Sequence, residues 1–289
     1  MLSATQNVTT TISILLSTFL TYTQEPKIRQ TIITSSLTFA SLYAFLKHTR
    51  LYHPSSNKAN KAIEKEIESE WRSRIVGLIH ATILTIGSLL CFNESWIHSH
   101  LSPSDAWKVI ETSDAEYAMY TIKFAAVFVG YLQYDLWWLF THPDGKGKYD
   151  ISAIIHHILY ILVTHFTLSG IYFVRSFAWL SFAELSTPFL HLRWFYIILQ
   201  KKNSMGYFTS SILFAVTFLI TRVLGYTIGL IDLWAAYPIW STLTSLDDFN
   251  QVGFYLVIVA LHMGYALNLF WSVKVVKALR KVLLPKVSK

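Results

Sequence analysis

Cysteine is nearly missing from this chain, with Cys91 alone among 289 residues. A single thiol excludes an internal disulfide and any cysteine-based metal cluster, and a free cysteine most often serves as a small apolar filler. Charge is also scarce, at 14% of residues, which fits poorly with a soluble domain of this length. There is no internal repeat, low-complexity tract or linker that would divide the chain into domains. No Lys or Arg precedes Lys27, so the apolar stretch at 8–22 lacks the basic flank of a presequence or signal peptide. That stretch is expected to be peripheral, lying in a membrane interface or completing the first crossing.

Apolar side chains fill the space left by charge: 53% of residues are hydrophobic and 16% aromatic. Apolar segments recur at 31–47, 75–92, 119–140, 151–169, 171–199, 207–230 and 251–273. Segments of about 20 residues can cross a bilayer as helices, so the fold class is all-α integral membrane with about seven transmembrane helices. Pro188 is expected to kink the fifth span. Residues 54–74 read as a cytosolic amphipathic or solvated helix, with Glu68/Arg72 and Glu70/Arg74 spaced to pair.

The net charge of +7 resembles a nucleic-acid footprint only until its location is considered. Seven Lys or Arg fall between Lys47 and Arg74, two at 146 and 148, two at 201 and 202, and six from Lys274 onward. Between 93 and 118 only Lys108 is basic, and between 231 and 250 there is none. Basic loops therefore alternate with bare ones, and the positive-inside rule makes the basic loops and the C-terminus cytosolic. The sequons at Asn7 and Asn93 both fall on the opposite side. No nucleic-acid partner is expected.

An ionisable group in hydrocarbon costs roughly 2.5–3.5 kcal/mol on insertion scales, so each one calls for a partner or a polar cavity. His80, Asp135, His156, His157, His165, Arg175, Glu184, His191, Arg193, Arg222 and His262 all lie in spans. At 1.5 Å per residue, His80, Asp135, His156, His157 and His191 all sit about 8–12 Å from the cytosolic ends of their helices. Four helices thus bring imidazole or carboxylate to one level. Glu184 and His191 share a helix face by their seven-residue spacing, as do Tyr131 and Asp135 by theirs of four. Arg222 is deep enough to be either the counter-charge for Glu184 or a substrate contact. Alone, His80 or His262 reads as a hydrogen-bonded packing residue. The adjacent His156 and His157 point about 100° apart, so one can face a cavity while the other bonds a neighbouring helix. A metal site is not expected, because a desaturase-type iron centre needs several HxxxH and HxxHH clusters.

Four stretches carry a resemblance. Trp71 to Ala81, ending Leu-Ile-His-Ala, is similar to the opening Arg-Val-Val-Ser-x-x-His-Ala of the TLC-domain family. Gly130-Tyr-Leu-Gln-Tyr-Asp135 is similar to its Gly-Tyr-x-x-Tyr-Asp, and His156-His157 to its histidine pair. Glu184-Leu-Ser-Thr-Pro-Phe189 with Arg193-Trp194 resembles the small TLC-domain-containing branch. The family also includes ceramide synthases and translocon-associated TRAM proteins. The resemblance implies a six-helix TLC bundle over 71–275, preceded by an N-terminal region with one helix and a basic loop (1–70) and followed by a basic tail (276–289). It further implies N-acylation chemistry at the histidine pair, although Glu184-Leu-Ser-Thr-Pro stands where the synthases carry a second acidic cluster.

The chain is therefore expected to act in membrane lipid homeostasis. As an acyltransferase it would use His156, His157 and Asp135 for proton or acyl transfer, with His80, Glu184, His191, Arg222 and His262 binding substrate. Acyl-CoA or a phospholipid is the expected acyl donor, with no permanently bound cofactor. Its partners would be membrane lipids, together with membrane proteins or further copies of itself. The alternative is a non-enzymatic lipid-binding or partner subunit. The resemblance points to the endoplasmic reticulum, with another organelle such as the mitochondrial inner membrane as the alternative.

Overall fold

The computed structural model describes residues 26–49, 61–97, 119–143, 147–170, 174–235, 237–238 and 251–284. The expectations for residues 8–22, the sequon at Asn7, the Arg175 side chain, the bare loops at 98–118 and 239–250 and the tail from 285 lie outside them. Every regular element among the described residues is helical: α1 (Pro26–Leu46), α2 (Lys61–Ile97), α3 (Met119–Thr141), α4 (Ile151–Gly170), α5 (Val174–Phe182), α6 (Thr187–Ile198), α7 (Met205–Phe218), α8 (Tyr226–Ala235) and α9 (Gln251–Leu283). The fold is all-α.

Four stretches are long and apolar enough to cross a membrane by length and composition: 66–94, 151–168, 205–235 and 255–283. Leu37, Phe45, Ile86, Leu224, Leu256 and Val259 all point outward on the bundle. A helix that is apolar on its outer as well as its inner face suits lipid rather than water. The chain is an integral membrane protein.

Side-chain caps mark where several helices begin. Asp150 accepts the Ala153 amide at 3.1 Å to open α4, and Ser204 accepts the Tyr207 amide at 3.2 Å to open α7. The start of α3 is held from another helix. Glu94, buried near the end of α2, accepts from the backbone amides of Tyr120 and Thr121 at 3.1 and 3.2 Å and from the Thr121 hydroxyl at 3.2 Å. A carboxylate there satisfies orphan amides and complements the positive end of the helix dipole. At the end of α6, Gln200 takes a left-handed backbone (φ 56°) while Lys201 donates its amide to Tyr196, closing the helix.

Two departures from regular α-helix shape the interior. Ala183–Ser186 tighten into a 3₁₀ turn between α5 and α6. The tightened turn falls just before Thr187-Pro188, where proline has no amide to give and its ring crowds the carbonyl four residues back. Between α7 and α8, Leu219–Gly225 widen into a π segment in which the Tyr226 amide reaches the Thr221 carbonyl. A further feature concerns α2. The described part of the helix expected at 54–74 runs on into the span expected after it, as one uninterrupted 37-residue helix from Lys61. No Gly or Pro interrupts 61–76, and Arg74 holds Glu70 at 2.7 Å, so nothing ends the helix at the membrane surface.

The chain's ends of charge meet in space. Arg72 of α2 lies 4.6 Å over the Tyr43 ring of α1, and the Tyr43 hydroxyl reaches His142 after α3 at 3.4 Å. Trp71 packs on Trp194 and Phe195 of α6, and Arg193 donates to Tyr207 of α7 at 3.4 Å. These residues form a basic end of the bundle. Phe92 against Trp179 and Phe182, and Glu94 at the start of α3, belong to the other end. Helix α1 is tied to α3 through Gly130, where an added Cβ would lie 2.6 Å from Ser35 Cβ and 2.8 Å from the Ile32 carbonyl oxygen. Phe39 of the same helix meets His80 and Tyr131 edge-on.

Candidate functional site

Asp135 and His157 meet across α3 and α4. His157 Nε2 lies 2.8 Å from Asp135 Oδ2, with side-chain exposures of 10% and 16%. The other ring nitrogen, Nδ1, lies 2.7 Å from the Ala153 carbonyl, which can only accept, so Nδ1 carries a proton. Nε2 faces a carboxylate. The contact therefore requires a second ring proton or a protonated Asp135, and the pair holds one proton more than a neutral imidazole beside a carboxylate. His156 points elsewhere, its ring centroid 4.4 Å from that of Tyr160 and 5.3 Å from that of Trp271 of α9, and its buried Nδ1 has no hydrogen-bond partner among the described residues. The two adjacent rings thus occupy different surroundings, as their 100° offset requires.

One turn inward from Asp135 on α3, Tyr131 stacks on His80 with centroids 3.5 Å apart and an interplanar angle of 5°. His80 is 1% exposed, and neither ring nitrogen has a hydrogen-bond partner among the described residues. Gly77, one turn before His80, makes room for a third ring. A Cβ there would stand 2.6 Å from His191 Nε2 and 3.1 Å from the Tyr131 hydroxyl. His191 Nδ1 lies 3.4 Å from Arg74 Nη1. A guanidinium only donates, so Nδ1 accepts and the His191 proton sits on Nε2, which is buried without a partner among the described residues. Asp135, His157, His80 and His191 are thus gathered along the α2–α3–α4–α6 side of the bundle.

Glu184 and Arg222 form a second polar unit. Arg222 Nη2 donates to Glu184 Oε1 at 3.0 Å and to Thr187 Oγ1 at 3.1 Å, and Arg222 Nε donates to Ser186 Oγ at 3.0 Å. Thr187 Oγ1 donates in turn to Glu184 Oε2 at 2.7 Å, and Ser186 Oγ to the Ala183 carbonyl at 3.1 Å. Each polar residue of Glu184-Leu-Ser-Thr-Pro therefore faces one arginine, and the π segment presents that arginine to the 3₁₀ turn. Of the two readings open for Arg222, the counter-charge is the one the structure displays. Ser186 and Thr187 escaped the sequence reading as partners of Arg222. Their signal was the run of hydroxyls beside an in-span glutamate.

His262 lies apart from these groups. It is exposed on α9, donates Nδ1–H to the Ile258 carbonyl at 2.8 Å and accepts the Trp234 indole N–H at 3.2 Å. His165 is buried near the far end of α4. Arg74, read from the sequence as a partner of Glu70, also reaches His191, a contact that no periodicity foretells.

A cleft of about 790 Å³ opens at the basic end, lined among others by Arg72, Arg74, Trp138, Leu139, Lys148 and Tyr149. Trp138 and Leu139 lie three and four residues after Asp135, one turn further out on its helix face. Arg74 belongs both to the cleft and to the His191 contact. The cleft therefore adjoins the site through Arg74.

The family model for the TLC domain matches residues 70–277. TLC domain-containing protein 4 A of Dictyostelium discoideum is 21% identical over 250 residues, covering 85% of this chain and 87% of that protein. TLC domain-containing protein 4-B of Danio rerio is 27% identical over 224 residues, covering 75% and 76%. No solved structure matches.

Proposed function

The chain belongs to the TLC-domain family, membrane proteins linked to lipid metabolism, and on that premise we propose that it transfers an acyl group between lipids from a site opening to the cytosolic leaflet. The observation that carries this reading is the Asp135–His157 pair, a buried, proton-holding unit beside a second histidine with a ring nitrogen that has no partner among the described residues. His156 Nδ1 takes the proton from a hydroxyl or amine of the lipid acceptor as its oxygen or nitrogen bonds the acyl carbon. The bond from that carbon to its leaving thiolate or alkoxide then breaks. The proton of the pair passes to the leaving group through Asp135, the less buried member, and the proton taken up by His156 then returns to the pair and restores the starting state. Acyl-CoA or a phospholipid supplies the acyl group, and His80 and His191 offer buried nitrogens to the polar part of the guest.

The basic end faces the cytosol in this reading, because the basic loops gather there, and the chain crosses the membrane seven times. Its place is the endoplasmic reticulum.

A second reading has its own support. Both nitrogens of His157 are engaged, so the residue ties α3 to α4 whether or not chemistry follows. In that reading the protein binds lipid without turning it over. Membrane lipidomics after deletion, with rescue by wild type or by the His156→Ala/His157→Ala variant at matched protein levels, separates the two. Acyl transfer expects rescue by wild type alone. A variant that restores the lipid profile in full removes the acyl-transfer reading.

A further inference from the structure

A second cleft at the basic end, of about 680 Å³, lies between the start of α7 and the last turns of α9. Five cations line it, Arg193, Lys202, Lys274, Lys277 and Lys281, and among the described residues no carboxylate does. That one-sidedness is unlike the cleft that contains Arg74, where Glu66, Glu70 and Asp150 offset the basic groups. Lys274, Lys277 and Lys281 fall on one face of α9 by their spacings of three and four, so the helix aims a row of ammonium groups into one groove. Opposite them, Ser204 caps α7, a 14-residue helix whose positive dipole end points the same way.

The walls continue as apolar surface. Lys274 Nζ lies 4.3 Å over the Phe270 ring, and Phe270, Val273 and Phe208 are all exposed. Cations at the rim of a membrane span and apolar side chains just below them suit an amphiphile with its charge at the surface and its chains in hydrocarbon. A single phosphodiester carries one negative charge, too few to balance five cations. We propose that this cleft binds a membrane lipid whose headgroup carries several phosphates, held by Lys274, Lys277, Lys281, Lys202 and Arg193. The inference does not rest on acyl transfer.

The test uses the full chain in nanodiscs of phosphatidylcholine doped with a phosphatidylinositol bisphosphate, read by native mass spectrometry. Parallel arms contain phosphatidylserine, or soluble inositol trisphosphate in place of the lipid. Binding is expected to be tightest for the bisphosphate lipid and to weaken about 100-fold in Lys274→Gln/Lys277→Gln/Lys281→Gln, from a contribution of roughly fivefold per surface lysine. Arg280→Gln, on the same helix but outside the cleft, is expected to leave binding within about twofold. All three lysines are exposed, so the variant should fold, and an unchanged unfolding midpoint checks this. Equal binding of phosphatidylserine, equal loss in Arg280→Gln, or trisphosphate binding as tight as the lipid's overturns the assignment.

Discussion

Replacing Glu184 by Ala tests whether the Arg222 network holds the bundle together. Arg222 and Glu184 have side-chain exposures of 9% and 11%, so neither charge can turn to water. In Glu184→Ala the guanidinium keeps only the Ser186 and Thr187 hydroxyls, and Thr187 loses the carboxylate it donates to. In Arg222→Ala the carboxylate keeps one neutral donor, Thr187. Leaving one charge of a buried pair uncompensated costs about 3–5 kcal/mol. At roughly 2–4 °C per kcal/mol for a large domain, each single variant should lower the unfolding midpoint by about 10 °C in a common detergent. The double variant removes both charges at once. It should cost little more than either single, giving a coupling of about 3 kcal/mol in the cycle. Single variants within about 2 °C of wild type, or a double variant that shows the plain sum, would refute the idea that the two charges sustain each other.

Gly130→Ala sets a methyl group against the Ile32 carbonyl and Ser36 amide of α1, backbone that cannot step aside; it should cost about 1–3 kcal/mol, read as a lower unfolding midpoint. Gly77→Ala meets the His191 ring instead, a side chain that can rotate, so its stability loss should be smaller than that of Gly130→Ala while lipid turnover falls. His157→Ala leaves Asp135 without its partner and should destabilise by about 2–3 kcal/mol, whereas His156→Ala should stay within about 1 kcal/mol, as thermal unfolding of both will show. A protease site placed after Lys289 should be cut in sealed microsomes and one near the N-terminus protected. The reverse pattern refutes the cytosolic placement of the basic end.

Most of the helical framework could be read from composition, because a 20-residue apolar run has few other homes. A departure from regular α-helix near Pro188 was legible for the same reason that proline is rare inside helices. The contact of Asp135 with a histidine was foreshadowed by equal depth on two helices, yet depth alone could not say that His157, rather than His156, turns toward α3. That choice depends on the rotation of α4, which is set by packing. The π segment could not be read at all, since Leu219–Gly225 shows no residue pattern that distinguishes i→i+5 bonding. Glu94 stands in a stretch whose only basic residue is Lys108, which says nothing of helix capping. Its role as the cap of α3 needs a partner 26 residues away, which spacing does not reveal.

The widened turn at Leu219–Gly225 has the geometry of a helix carrying one surplus residue. In an ordinary span, losing one residue turns everything beyond it by about 100° and exchanges lipid-facing for core-facing positions. Here the slack is stored in a single turn. Removing one residue from 219–225, with Arg222 kept, would let the turn close to α-helical bonding while Ser210, Ser211 and Phe218 before it and Tyr226, Gly229 and Leu233 after it keep their inward faces. The helix thus offers a length change that shifts the arginine's aim at Glu184 and spares the rest of the span, a way for related chains to retune the interior without rebuilding the bundle.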